Sequence, residues 1–332
     1  MSNTLGGLGG KGDEVAGKPP SAARRALPGA HSRWDRFWHR PAPAVDLAMA
    51  RILLAAVGLW MVLSRHDLPS MLAFPAELWR NVTPERRLRF AMVLPLGLER
   101  ALYWTLHGTL LCALLGIRTR TACFLSGLLL YHFAPFETII RTANPYLRGF
   151  TIPCLGLLIV SFARCGDALT VAGAWTRRPV PADDGGYRWP LALVQVLFCQ
   201  IYFFAGWSKL FTTGWAWLEA GNIRGHLLVL NQALTADPAA SWGYALARHP
   251  ALCAAVAWTG IVFELAFPLV LFSARARRVL LPLALVFHLA NSVLFRIFFQ
   301  NVWLLLLFVP WSRIALRQRA SAPATAECCA AS

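Results

Sequence analysis

Apolar stretches long enough to approach a bilayer crossing recur from residue 44 to residue 312, and they leave little room for any other fold. A hydrocarbon core of about 30 Å needs roughly 17 to 25 apolar residues in a helix, because no water is present there to satisfy an open backbone. Eight segments approach that length: Ala44–Ser64, Ala101–Gly116, Thr119–Pro135, Gly149–Arg164, Leu191–Phe211, Ala251–Ser273, Arg277–Phe295 and Phe298–Ser312. The second, fourth and eighth are short. This pattern predicts an all-α fold, a polytopic membrane helix bundle of about eight transmembrane helices. Composition agrees, since only 14% of residues are charged and the mean hydropathy is +0.50, whereas about a quarter of a soluble protein is charged.

The net charge of +16 does not imply nucleic acid, because the arginines sit in loops and tails between apolar spans and form no basic domain. The positive-inside rule accounts for them better. It places both termini in the cytoplasm, with Arg118, Arg120, Arg177, Arg178, Arg188, Arg275, Arg277 and Arg278 on the inner side, and the membrane is expected to be the plasma (inner) membrane. The first outer loop, Arg65 to Arg100, is the exception, and its run Trp79–Arg89 suggests a helix lying at the interface. Residues 1–43 are rich in Gly, Ala, Pro and Arg and are expected to form a disordered basic tail. Residues 44–312 form the membrane domain and residues 313–332 a cytoplasmic tail. No cleavable signal peptide is expected ahead of the first span.

Of the eight cysteines, Cys112, Cys123, Cys154, Cys165, Cys199 and Cys253 lie in or beside spans without metal-type spacing, and they read as small apolar residues. No metal site is expected. Lys209 is the only lysine beyond Lys18, and it stands in the apolar segment Leu191–Phe211. Two readings are open for it. A snorkelling lysine keeps its stem in lipid and its ammonium at the interface, whereas a desolvated amine can act as a base.

Gln195, Cys199, Tyr202, Gly206 and Lys209 follow one helical face, with Leu193, Leu197, Ile201, Phe204 and Leu210 on the other. The first face belongs inside the bundle, where small residues admit a neighbouring helix. On the seventh span, His288, Asn291, Ser292 and Phe295 form a second polar stripe. With a rise of about 1.5 Å per residue, Lys209, Asn291 and Ser292 come to similar depths and could share an outward-facing pocket, with His288 a turn deeper. His288 is either hydrogen-bonded within the bundle or a second acid or base. The same arithmetic puts Arg51 and Glu264 level, which predicts a structural ion pair between them. Lys209 and Glu264 come out roughly 17 Å apart in depth and are not expected to touch. The outer connection Trp215–Arg248, with Trp217, Glu219, Arg224, His226 and Asp237, would roof the Lys209 mouth, and Phe136–Arg148 would bring Glu137, Arg141 and Asn144 to the same side.

The element Tyr202–Phe–Phe–Ala–Gly206–Trp–Ser–Lys209–Leu210, followed by Gly214–Trp215, resembles the signature of the vitamin K-dependent gamma-carboxylase family's membrane domain, the horizontally transferred transmembrane (HTTM) domain. Asn144–Pro–Tyr–Leu–Arg–Gly149, Phe263–Glu264–Leu–Ala–Phe–Pro268 and Phe287–His288–Leu–Ala–Asn291–Ser292 look like further parts of it, in the same order. The resemblance spans roughly residues 44 to 312. It implies that a lysine in the place of Lys209 deprotonates a reduced naphthoquinone of the vitamin K or menaquinone type. Oxygen then converts the quinone to an epoxide, and the strong base so formed removes a glutamate proton for carbon dioxide to add. His288 and Asn291 fall on the family's seventh-span motif and become candidate pocket residues with Tyr202, Gly206, Asn144 and Ser292. Two departures limit the carry-over. Asn144 stands where the animal carboxylase has a histidine, and this chain ends shortly after its last span, where that enzyme has a large lumenal domain for its substrate's propeptide.

The expected function is therefore a quinone-dependent membrane enzyme, a carboxylase or epoxidase and formally a lyase. Its expected partners are the lipid bilayer, a peptide or protein substrate and a partner protein. The alternative is a non-carboxylating membrane protein for peptide maturation, export or immunity, in which Lys209 binds an anion. A transporter is a third reading, against which stands the absence of paired interrupted spans.

Overall fold

The computed structural model describes residues 32–64, 94–140, 149–176, 180–234 and 241–314. In chain order the α-helices are α1 (Arg33–His39), α2 (Ala44–Leu63), α3 (Leu96–Leu115), α4 (Thr119–Ile140), α5 (Thr151–Ser161), α6 (Val171–Trp175), α7 (Gly185–Thr213), α8 (Ala220–Leu234), α9 (Trp242–Ala247), α10 (Pro250–Ala266) and α11 (Ala274–Leu294). Short 3-10 segments follow α7 at Gly214–Leu218, α10 at Phe267–Leu271 and α11 at Gln300–Phe308. Among the described residues no strand occurs, and the one β-like contact is an isolated bridge between Ala42 and Asp184.

Four helical stretches are long and apolar enough to cross a membrane: Ala44–Leu63, Gly185–Leu218, Pro250–Leu271 and Ala274–Leu294. They make the chain a multi-pass, all-helical membrane protein. The expected count of eight is not reached by this measure. The fourth segment is an apolar helix of only 11 residues, and the eighth is a 3-10 helix of 9 residues. α3 and α4 are 20 and 22 residues long, but Glu99, Arg100 and His107 in the first and Arg120 and His132 in the second dilute their hydropathy.

The larger core gathers α2, α3, α4, α5, α7 and the 3-10 segment Gln300–Phe308 around Leu54, Leu106, Leu110, Phe133, Leu157, Phe198, Phe267 and Leu304. Small residues set how closely the helices approach. A Cβ on Gly58 would lie 3.3 Å from Leu110 and 3.5 Å from Leu130 and Pro153, so three elements meet α2 at one level. α3 ends at Gly116 with φ 78°, a left-handed cap that glycine adopts without strain. A smaller cluster of Leu218, Ile223, Leu227, Cys253, Ala257 and Ile261 joins α8 to the first half of α10. Six cysteines among the described residues are free thiols, and five of them are buried.

The start of α2 meets the last described segment. The Ser312 backbone N–H donates to Asp46 Oδ1 at 2.9 Å, and Ala42 bridges Asp184, so α2, α7 and the last segment share one end of the bundle. Within residues 1–43, expected to be disordered, Arg33–His39 is helical, and residues 1–31 lie outside the described residues. Ser32 and Asp35 form a capping box, and the Phe37 carbonyl accepts a hydrogen bond from Arg188 Nε at 3.1 Å. Trp79–Arg89 lies outside the described residues.

Arg51 is wholly buried, but it is not paired with Glu264. Its Nη1 donates to the Cys165 carbonyl at 2.9 Å and its Nη2 to the Leu169 carbonyl at 2.6 Å. The irregular turn after α5, which includes Leu169 at φ 52°, leaves main-chain acceptors unclaimed, and a guanidinium fork can take two at once. An expectation built on side-chain charges alone could not see them. Arg51→Leu is expected to destabilise the protein by roughly 2–4 kcal/mol, since one buried and one partly buried carbonyl lose charged donors. Thermal unfolding in detergent measures this, and an unchanged melting temperature would contradict it.

Candidate functional site

α7 carries the site because its sequence segregates by face. Gln195, Cys199, Tyr202 and Gly206 are buried, while Ile201 and Phe204 on the other side are exposed. From one end of this face to the other the chemistry changes. Gln195 is structural: its Nε2 donates to the Leu307 carbonyl at 2.8 Å and its Oε1 accepts from Arg188 Nη1 at 3.2 Å. Two turns on, the Tyr202 ring stacks on Phe267 with centroids 4.0 Å apart, and its hydroxyl lies 2.7 Å from His288 Nε2. A turn further, Gly206 lets α10 come close, because a Cβ there would stand 3.0 Å from the Glu264 Cβ and 3.2 Å from Leu265.

Lys209 lies one turn beyond that contact, and its Nζ donates to both oxygens of Glu264, at 2.5 and 2.7 Å. The Glu264 side chain is 5% exposed and that of Lys209 23%. Trp217 covers the ammonium, its ring centroid 5.4 Å from Nζ, a cation–π distance. The expectation that Lys209 and Glu264 lie far apart is therefore wrong, for a reason of register. It set the outer ends of the two spans, Phe211 and Ala251, at one level. Helical structure in fact continues past Phe211 to Leu218, and α8 packs along the first part of α10. α10 thus overshoots the end of α7, and residue 264 meets residue 209.

These groups line a cavity of about 1440 Å³ between α7, α10 and α11. Tyr202, Lys209, Trp217, Glu264, His288 and Asn291 supply its polar or amphipathic wall, and Ile201, Phe204, Phe263, Phe287 and Phe299 much of the rest. Asn291 lines it while its Nδ2 donates to the Phe287 carbonyl at 2.8 Å. Ser292 does not line it. Its hydroxyl donates to the carbonyls of His288 and Ile297 and ties the end of α11. Gly206 likewise sets the helix approach without lining the space. Asn144 and Arg141 lie outside the described residues, as does Asp237, and the Glu137 side chain is not among those described. From the outer connection Trp217 and His226 reach the wall.

Sequence reasoning missed three features here. Glu264 is the partner of Lys209, Tyr202 is joined to His288, and Gln300 and Asn301 line the cavity from the segment read only as an apolar span. The first had a signal, because Gly206 one turn from a lysine marks where a partner helix can bring a carboxylate near. Of the buried side-chain polar atoms that have no partner among the described residues, two belong to residues lining this cavity, His288 Nδ1 and Asn301 Oδ1. No group of three or more His, Cys, Asp or Glu residues that could hold a metal is found among the described residues.

A pair that is neutral overall, set in an apolar cavity, can move a proton without creating net charge. Transfer from the ammonium to the carboxylate converts ion pair to amine and acid, and low polarity favours that exchange over charge separation from water. Comparison with curated proteins and with solved structures yields no match to this chain. Comparison with protein families matches the HTTM domain over residues 39–311. With most of its length covered by that match, the chain belongs to the HTTM domain family, a membrane domain related to the vitamin K-dependent carboxylase family.

Proposed function

We propose that this protein is a membrane-embedded enzyme that oxidises a reduced naphthoquinone and couples that oxidation to carboxylation of a peptide or small molecule, with Lys209 as the base. The observation that carries the reading is the Lys209–Glu264 pair on the wall of a large, mostly apolar cavity. The residues present fit such a ligand. The volume exceeds the usual range for small-molecule pockets, as a flat bicyclic ring with a long tail requires. Phe263, Phe287 and Phe299 offer aromatic walls, and the unpartnered His288 Nδ1 and Asn301 Oδ1 suit hydroxyl or carbonyl groups. When bound, the reduced quinone supplies, together with oxygen, the driving force for removing a substrate proton so that carbon dioxide can add.

The protein's part is proton handling. Glu264 takes the Lys209 proton, the free amine accepts a proton from a hydroxyl placed beside it, and the apolar walls exclude competing water. An anion-binding role for Lys209 is less well supported, because Glu264 already occupies the ammonium with both oxygens. The eight-crossing arrangement in the plasma membrane, with both termini cytoplasmic, belongs to this proposal. It is supported by the shared end of α2, α7 and the last segment, which requires an even number of crossings between them. The protein substrate would arrive with a partner protein.

The test is product formation by the purified protein in nanodiscs, supplied with reduced menaquinone or vitamin K hydroquinone and oxygen and followed by mass spectrometry. Quinone epoxide above a protein-free control is expected. No epoxide from folded protein with either quinol, with and without a glutamate-containing peptide and carbon dioxide, would overturn the proposal.

A further inference from the structure

The end of the bundle that holds the start of α7 gathers three arginines, Arg40, Arg188 and Arg277, none of them in an ion pair among the described residues. Arg188, on the first turn of α7, is 5% exposed. Its Nε and Nη1 donate to the Phe37 carbonyl and to Gln195 Oε1, and its guanidinium carbon stands 5.5 Å above the Phe37 ring. Phe37 in turn lies 5.6 Å from Phe272, just ahead of α11. Arg277, on the first turn of α11, turns back so that Nε and Nη2 donate to the Val270 carbonyl at 3.2 and 2.9 Å. Arg40 follows directly on His39, whose carbonyl oxygen lies against Gly185 at the start of α7 so closely that a Cβ there would stand 2.5 Å from it, and this puts Arg40 within electrostatic reach of Arg188 and Arg277.

One carboxylate, Asp46, acts on Arg188 from a distance while its oxygens accept from the Ser312 backbone N–H and hydroxyl, and a single negative charge leaves the three arginines with a net positive charge. Three elements thus bring together three permanently charged groups, one of them buried, although like charges disfavour such an arrangement. Arg277 Nη1 and Arg188 Nη2, with the whole guanidinium of exposed Arg40, remain as donors.

We infer that Arg40, Arg188 and Arg277 form a binding site for the phosphate of an anionic phospholipid headgroup. Guanidinium groups are suited to phosphate oxygens. A lipid is the fitting source because exposed aromatic side chains flank the cluster, with Trp34 69% and Phe272 73% exposed, and such rings favour the level of the headgroups. The site lies at the far end of α7 from Lys209, 21 residues or about 32 Å away by helical rise, and is separate from the cavity. Bound there, one headgroup bridges α1, α7 and α11 and fixes α1 against the membrane surface.

The test uses the full chain, delipidated in neutral detergent, with melting temperature and native mass spectrometry as readouts. Phosphatidylglycerol is expected to raise the melting temperature several degrees more than phosphatidylcholine does, and to remain bound in the mass spectrum. Arg40→Gln/Arg277→Gln should lose at least half of that shift. Arg188 is left intact, since it also holds α1. Arg275→Gln/Arg278→Gln removes the same charge from exposed neighbours and should keep the shift. Equal shifts in all three proteins, or none in the wild type, would refute the site. Inorganic phosphate alone is expected to do little. A full shift from phosphate, with nothing added by lipid, would overturn the lipid assignment in favour of a soluble phosphate compound.

Discussion

Lys209→Arg is expected to fold, to keep an ion pair with Glu264, and to lose at least about 100-fold in quinol oxidation, since positioned acid–base groups contribute about that much or more. A guanidinium cannot give up its proton in a protein, so the substitution preserves charge and removes basicity. This separates the two roles open to the residue. If Lys209 only holds an anion or braces α7 against α10, arginine should serve nearly as well, and retained activity would rule out the base.

Lys209→Met addresses the same pair from the other side. It leaves Glu264, 5% exposed, without its cation, and breaking a buried pair in this way costs about 3–5 kcal/mol if the carboxylate stays ionised. Loss of activity in that variant alone would not distinguish chemistry from collapse of the site. Lys209→Met/Glu264→Gln removes both charges, and the melting temperature is expected to return close to the wild-type value. Activity is not expected to return. Recovery of turnover in the double variant would mean that the pair is structural and that the base lies elsewhere.

The inner face of α7 was legible because helical periodicity is a local property. Gln195, Cys199, Tyr202 and Gly206 are buried as their spacing requires. The identity of partners across helices was not legible, because it depends on how far one helix slides along another. Apolar length fixes that offset poorly when a helix such as α7 continues into Gly214–Leu218. Arg51 shows a second blind spot. Its acceptors are main-chain carbonyls in a turn 114 and 118 residues away, and no pairing of side-chain charges could reveal them. α1 was legible in principle, since Ser32 and Asp35 have the spacing of a capping box, yet glycine, alanine and proline in the preceding tail masked it. Asn301 donates to the Gly149 carbonyl at 3.1 Å, which gives a polar role to a segment that sequence described only by its hydropathy.

Tyr202→Phe should raise KM for the quinol by roughly tenfold and leave kcat within a few-fold of wild type, if the Tyr202–His288 contact orients the ligand. The substitution keeps the ring stacked on Phe267 and removes only the hydroxyl that lies 2.7 Å from His288 Nε2. His288 Nδ1 is already without a partner among the described residues, so the imidazole would then hold neither of its hydrogen bonds, and its rotamer and tautomer would no longer be set. A hydrogen-bonding group that has lost its orientation weakens binding in the ground state and the transition state together, which appears in KM. Had Tyr202 itself carried the proton, kcat would fall with KM unchanged, and the positioning role would have to be abandoned. His288→Phe in the Tyr202→Phe background should add little, because the two groups act as a unit. Full additivity of the two substitutions would show that the contact at 2.7 Å has no part in holding the ligand.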